Sequence, residues 1–174
     1  MSIGLKSHLW LVVVAINFQL LAQTPPSSKE QMAKLKQWEG HWTGMSTSQM
    51  QGKTESSAVD ENIELKVDGH AFLINGIARN KEGKVVHEAL GVLSFDTKEN
   101  RYRFRSWLRD GRSADAWFLA LSDTDYQWGF EVPTGRVRYN IKVSQDSWVE
   151  SGEYSSDGNQ WFPFFQMQLT RQPN

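Results

Sequence analysis

The 174-residue chain contains no cysteine. Disulfide bonds, thiolate catalysis, cysteine-ligated zinc and a lipid-modified cysteine near the N-terminus are therefore excluded. An excess of either charge is also lacking, since 19 Lys and Arg stand against 20 Asp and Glu, for a formal net charge of −1. Nucleic acids and anionic membrane surfaces attract a basic protein face, so we expect neither as the main partner.

Apolar runs long enough to span a membrane are missing as well. A membrane-spanning helix needs about 20 apolar residues. The longest such run, residues 9–16, is followed by the polar residues Asn17 and Gln19. It lies between Lys6 and the sequence Leu20-Leu21-Ala22, an arrangement typical of a secretory signal peptide cleaved after Ala22. A membrane anchor is the alternative, and the short run argues against it.

This interpretation divides the chain into three parts. We expect a signal peptide at residues 1–22, a linker at 23–27 and a single domain at 28–174. The predicted destination is the periplasm or the exterior of a bacterium, with no membrane span once the signal is removed. Nothing in the sequence sets an oligomeric state.

Motifs for catalysis and metal binding are scarce. After the leader only His41, His70 and His87 remain, and no two of them have the spacing of metal ligands. The sequence has no Gly-x-Ser-x-Gly motif, no phosphate-binding loop and no dinucleotide fingerprint. We therefore expect no metal site and no cofactor, and find no motif that supports an enzyme.

What the sequence does contain is aromatic residues and regularly spaced turns. Eight Trp, nine Phe and four Tyr favour β-strands. Turn signals separate ten segments after Trp38, at Gly52, Gly69, Gly83, Lys98, Gly111, Thr124, Gly135, Asp146 and Gly158. Such spacing predicts an all-β fold, an antiparallel meander closing into a barrel of about ten strands, with a β-sandwich as the alternative.

Two local features complete this prediction. Ser28 and Gln31 resemble a capping box, which predicts one short helix over residues 28–37 before the first strand. Asn75-Gly76 lies inside the segment 70–80 and indicates either a bulge or a turn that divides it.

The segment Trp38-Glu39-Gly40-His41-Trp42 resembles a known family motif. This segment contains the Gly-x-Trp that opens the first strand in the lipocalin and fatty-acid-binding-protein (calycin) superfamily, which the chain resembles. The resemblance implies that Arg171, after the last predicted strand, lies across Trp42 and closes the bottom of the barrel. A cation over an indole face is worth roughly 0.5–2 kcal/mol.

The segments 90–96, 101–107 and 148–161 resemble more specifically an uncharacterised family of small exported bacterial proteins with a lipocalin-like barrel. The likeness covers most of residues 38–171 and implies a fold without an activity. Haem-binding barrels of the nitrobindin type also begin with Gly-x-Trp, but they use a histidine near their last strands. The last histidine here is His87, so haem is not expected.

The candidate ligand-binding residues lie on the predicted strands. Arg103, Arg105 and Trp107 share one strand face, opposite Tyr102 and Phe104, and Arg138 lies on the arginine-bearing face of a later strand. If these arginines point inward, they hold an anionic, carboxylate-bearing apolar ligand, as interior arginine does in fatty-acid-binding barrels. In the alternative, Tyr102 and Phe104 form the core and the arginines are solvated.

Glu131 and Glu150 are further candidates, since both fall in the middle of predicted strands. In a cavity, the pKa of such a carboxylate rises and acid–base chemistry becomes accessible. On the outside, each pairs with a neighbouring basic residue. The favoured function is a binding module that takes up one small, partly apolar ligand. The alternatives are an enzyme that uses cavity carboxylates on an envelope-derived small molecule, and an interaction domain with a solid core.

Overall fold

A computed structural model describes residues 26–50 and 52–173 of the chain. The predicted signal peptide, residues 1–22, lies outside the described residues. Over the described ranges, every helix is too short or too polar to cross a membrane.

The domain begins with a short helix, α1, over Ser28–Ala33. Its N-cap is Ser27, whose hydroxyl accepts a hydrogen bond from the Glu30 N–H at 3.2 Å, while the Glu30 carboxylate accepts from the Ser27 N–H at 3.0 Å. The expected capping pair of Ser28 and Gln31 is therefore wrong by one residue, because the acidic residue three positions on selects Ser27. The expected short helix is confirmed, but it ends at Ala33 instead of residue 37, and a separate 3₁₀-helix follows over Lys36–Trp38.

Ten strands follow and form one closed, fully antiparallel barrel in which each strand pairs with its sequence neighbours and β1 pairs with β10. The predicted barrel is confirmed, and the sandwich alternative is excluded. Closure leaves no strand edge of the ring unpaired. The strands are β1 Gly40–Met50, β2 Lys53–Lys66, β3 Ala71–Arg79, β4 Val85–Asp96, β5 Arg101–Leu108, β6 Ser113–Ala120, β7 Asp125–Val132, β8 Gly135–Val143, β9 Ser147–Ser155 and β10 Phe162–Arg171.

The Asn75-Gly76 pair forms neither of the two features that the sequence suggested. Both residues lie in the continuous strand β3 and pair in regular register with Leu90 and Ala89 of β4. The irregularity in this ladder falls later, between Ala78 and Arg79. Gly76 is required for another reason, the close approach of an acidic side chain described below.

One end of the barrel is closed by the predicted pair Trp42 and Arg171, which face each other across β1 and β10. The guanidinium carbon of Arg171 lies 4.0 Å from the Trp42 ring centroid. Arg171 also donates to the Gln37 carbonyl at 2.5 Å and to the Glu39 carbonyl. The Trp42 indole N–H donates to the Trp38 carbonyl at 2.9 Å. These bonds fix the 3₁₀-helix across the barrel end.

The core lies at this closed end. Trp38 is 2% exposed and packs edge-to-face on Phe118 and Trp148, with ring centroids 5.4 and 4.6 Å away. The other large side chains that fill this half of the barrel are Met32, Leu35, Trp42, Ile63, Phe72, Leu93, Phe95, Tyr126, Val143 and Leu169.

Candidate functional site

The inward-facing side chains outside this core are less completely buried. Strand alternation directs a second set of side chains inward, nearer the hairpins that join β1 to β2, β3 to β4 and β7 to β8. In contrast to the closed end, most of these are only partly buried. We call this set the upper interior. Its members are Glu61, Ile74, Phe104, Trp128, Tyr139, Glu150 and Phe165.

Aromatic rings form the wall of the upper interior. Trp128 and Tyr139 are cross-strand partners on β7 and β8, and their rings stack at 4.2 Å with an interplanar angle of 9°. Phe104 packs edge-to-face on Trp128 at 5.0 Å. A Cβ atom at Gly152 would lie 2.8 Å from the Tyr139 ring, and one at Gly91 would lie 2.9 Å from the Phe104 ring. The rings therefore rest against bare backbone at the wall, which keeps them away from the barrel axis.

Glu150 brings a carboxylate into this aromatic surface. It lies on β9, is 7% exposed, and accepts hydrogen bonds from the Trp128 and Trp148 indole N–H groups at 3.1 and 3.2 Å. Burial raises the pKa of Glu150 to about 7, although the two indole donors act in the opposite direction. Neutral donors stabilise a buried charge only in part.

Glu61 is the second interior carboxylate, on β2. Burial raises the pKa of Glu61 to about 8, and the negative charges of Glu150 and Asp60 add to the increase. No hydrogen-bond donor among the described residues contributes to this pKa. A Cβ atom at Gly76 would lie 2.5 Å from the Glu61 Oε1, so the carboxylate rests directly on the backbone of β3. Gly76 provides the space that Glu61 occupies.

No cationic side chain accompanies these two carboxylates. Among the ion pairs of the described residues, none includes Glu61 or Glu150. No lysine or arginine of the described residues contributes to the pKa of either carboxyl, and Arg171 is held at the closed end over Trp42. The described residues also contain no group of three potential metal ligands. The upper interior is thus acidic, aromatic and without an internal counter-charge.

The structure decides between the two alternatives for Arg103 and Arg105 of β5, and both side chains lie outside the barrel. The guanidinium of Arg105 forms a two-pronged ion pair with Asp115, at 3.1 and 2.6 Å, and Arg103 pairs with Glu99 at 2.7 Å. Tyr102 and Phe104 take the inward positions of β5. The inward alternative, and with it the ligand-binding role for Arg103 and Arg105, is therefore wrong, and the alternative with Tyr102 and Phe104 in the core is the one observed. Burying a guanidinium is costly, while carboxylates are within reach on the outer face.

The remaining candidates divide between the two faces. Arg138 lies outside, paired with Glu153 at 2.8 Å and stacked on Trp161 at 3.8 Å. Glu131 also lies outside, paired with Arg136 at 3.0 Å. Trp107 is 41% exposed and lines a shallow outer groove of about 420 Å³. Of the six predicted ligand-binding residues, Glu150 alone reaches the interior.

Glu61 was absent from the sequence-based candidates, yet the sequence carries a signal for it. Val59, Ile63 and Leu65 are apolar residues at every second position, and Glu61 occupies the one position that breaks the series. A carboxylate in register with the buried face of a strand points into the core. The same pattern places Glu150 between Trp148 and Gly152 on β9.

Comparison with known proteins bears on the fold. No protein-family model matches the chain, and no curated protein matches its sequence. Among solved structures, Rv2717c from M. tuberculosis superposes with a TM-score of 0.61 at 11% identity, over 83% of this chain and 96% of that one. The chain therefore shares the fold of that structure.

A second solved structure, the S-type phycobiliprotein lyase CPES from Guillardia theta, superposes with a TM-score of 0.58 at 11% identity, over 85% of this chain and 94% of that one. A weaker likeness, at a TM-score of 0.38 and 12% identity, is to apocrustacyanin C2, over 83% of this chain and 66% of that one. At 11% identity, the likenesses to Rv2717c and to the lyase show the fold alone. The narrower resemblance to a family of exported bacterial proteins stays a prediction.

Proposed function

We propose that this calycin-type barrel binds one small, partly apolar ligand in its upper interior. The observation that carries the proposal is the partial exposure of inward-facing aromatic side chains, above all the Trp128–Tyr139 stack. A ligand that covers this apolar surface removes it from water, which favours binding by about 25 cal/mol for each Å² covered. Small barrels are wide enough to hold one such molecule.

Partial burial of inward-facing side chains also favours this proposal over a solid-core interaction domain. A solid barrel needs side chains that fill both halves of the interior. Here Trp42 and Trp148 are buried, while Phe104 and Phe165, which pack against the core, are only partly buried. Two carboxylates among these rings would be an unfavourable choice for a packed core.

Fluorescence titration with a neutral apolar dye such as Nile red tests the proposal. We expect a saturable rise in dye emission, together with quenching of tryptophan emission. Trp128→Phe should reduce the quenching because it removes the indole at the site. Trp107→Phe is the matched control on the outer face of the barrel and should behave as wild type. Equal quenching in wild type and Trp128→Phe, or no saturable dye binding, would contradict the proposal.

Mass spectrometry of gently purified protein addresses the natural ligand. A retained small molecule, released on denaturation, is the expected result.

An enzyme remains the second candidate function, and the interior carboxyls favour it. Because burial raises the pKa of Glu150 to about 7 and that of Glu61 to about 8, both exchange protons near neutral pH, as general acids and bases do. Incubation of the retained molecule with wild type and with Glu150→Gln separates the two functions. Chemical change with the wild type alone would indicate catalysis, and an unchanged molecule supports a binding protein.

We also propose that the protein is exported to the periplasm or exterior of a bacterium, on the strength of the leader pattern in residues 1–22. Expression of the full chain in a bacterial host, followed by N-terminal sequencing of the periplasmic fraction, tests this. A mature protein that begins at Gln23 is expected. An uncleaved chain retained in the cytoplasm would contradict export.

A further inference from the structure

We propose that the ligand carries a protonated amine on an aromatic or apolar body, and that Glu61 and Glu150 bind the ammonium group. This inference rests on the proposed function and names the chemical class of its ligand. It replaces the carboxylate-bearing ligand that inward arginines would have selected.

The first argument is charge. Glu150 raises the pKa of Glu61 through its negative charge, so the two carboxylates act on one another within the same interior. Tyr139 also feels Glu150, since burial and the Glu150 charge both raise the pKa of its hydroxyl. None of these groups is cationic. A ligand ammonium relieves this repulsion, whereas a ligand carboxylate would add a third negative charge.

The second argument is hydrogen-bonding capacity. An ionised carboxylate offers about four lone-pair positions. Glu150 uses two of them for indole N–H groups, and these bonds fix its orientation on the wall. No described donor contributes to the pKa of Glu61. An alkylammonium group brings three N–H donors and no acceptor, which matches the acceptors that remain.

The third argument is the position of the aromatic stack. Trp128 donates its indole N–H to Glu150, and its ring is stacked with Tyr139. A cation bound at Glu150 therefore lies beside the edge of the Trp128 indole, next to the stacked rings of Trp128 and Tyr139. Those faces attract cations through the ring quadrupole and cover an apolar body through contact. One site thus recognises both parts of an aralkylamine.

Three probes that share one body and differ in head group test the inference by isothermal titration calorimetry at about pH 8, where Glu150 is mainly ionised. The probes are phenethylamine, phenethyl alcohol and hydrocinnamate. We expect phenethylamine to bind at least about tenfold tighter than the alcohol, and hydrocinnamate to bind weakest.

Variants then assign the preference to residues. Glu61→Gln and Glu150→Gln should each reduce the ratio of amine to alcohol affinity, while the alcohol affinity shows that the pocket is intact. Glu131→Gln is the matched control, because its carboxylate lies on the outer face beside Arg136. If Glu150→Gln also loses the alcohol, Glu61→Gln decides, since no described donor depends on that side chain.

The outcomes separate the two proposals. Equal affinity for amine and alcohol would overturn the inference and leave the binding function in place. An amine preference that survives in both Gln variants would overturn it as well. Absence of binding by all three probes and by Nile red would overturn both.

Discussion

Replacing Glu150 by Gln should change how the stability of the barrel depends on pH. Because burial raises the pKa of Glu150 from 4.5 to about 7, the folded protein holds a proton that the unfolded chain releases between these values. The free energy of unfolding therefore falls as the pH rises through this window and levels off above it. The difference of 2.5 corresponds to about 3 kcal/mol at about 1.4 kcal/mol for each pH unit.

The Glu150→Gln variant has no charge to bury and escapes this loss. Part of the gain is offset, because the glutamine oxygen replaces only one of the two acceptors that the Trp128 and Trp148 indoles use. A displaced hydrogen bond of this kind costs about 1 kcal/mol. We therefore expect the variant to be more stable than wild type by about 2 kcal/mol above about pH 8, which is roughly 4–8 °C in Tm. Near pH 5 the gain should vanish.

Thermal unfolding followed by tryptophan fluorescence from about pH 5 to about pH 9 measures this effect. The slope should decrease in the variant without disappearing, since the pKa of Glu61 is also raised, to about 8. Carboxylates with lowered pKa values, such as Asp96 and Asp115, contribute to the stability of the protein, and that contribution is lost only at lower pH. Glu131→Gln serves as the control, with its carboxylate 67% exposed. The same pH slope in wild type and Glu150→Gln would refute the reasoning.

Three further predictions concern the frame around the site. Trp42→Ala should destabilise the barrel by about 3–5 kcal/mol, because it removes a fully buried indole from the closed end; a wild-type midpoint in urea denaturation would contradict this. Gly152→Ala should lower the free energy of unfolding by about 1–3 kcal/mol in the same assay, since its Cβ atom would lie 2.8 Å from the Tyr139 ring. An unchanged midpoint would show that the Tyr139 ring can move to make room for the methyl group. Arg103→Ala and Arg105→Ala should each leave the urea midpoint close to that of wild type, because exposed ion pairs contribute little to stability. Neither arginine variant should change the affinity for Nile red, and a large loss of dye binding would place the site on the outer face.

The number and order of strands were predictable because turn chemistry is local. Gly69, Gly83, Gly111 and Gly158 all have positive φ, between 76° and 88°, which glycine adopts without strain. Each falls in a connection between two strands, where the sequence placed it. The closure of the barrel through Trp42 and Arg171 was also predictable, although from a resemblance rather than from local patterns.

The faces of the strands were harder to assign. On β5, arginines alternate with Tyr102 and Phe104, and alternation alone is symmetric between the two sides of a sheet. The position of carboxylate partners decides the orientation. Asp115 on the neighbouring strand and Glu99 in the preceding turn form ion pairs with the arginines on the outer face. Those contacts depend on register, which becomes definite only when the strands are paired.

The two interior carboxylates show a different limit. Hydrophobic alternation identifies Glu61 and Glu150 as exceptions on buried faces, but it cannot show that the charge of one acts on the other inside the barrel. β2 and β9 are separated in the ring by β1 and β10, so their approach follows from closure. A short-range pattern contains no information about that distance across the barrel.

The pairing of the first and last strands has a consequence for how the molecule assembles. Trp42 and Arg171 meet across 129 residues of chain, the difference between their positions. Contacts of such large sequence separation form slowly, because a long loop must be closed before they stabilise the chain. Nascent chains that end before residue 162 lack β10 and present the open edges of β1 and β9. Until β10 pairs with β1 and β9, these two strands have unpaired edges that can bind other chains. Any delay in closing the barrel therefore favours aggregation over folding.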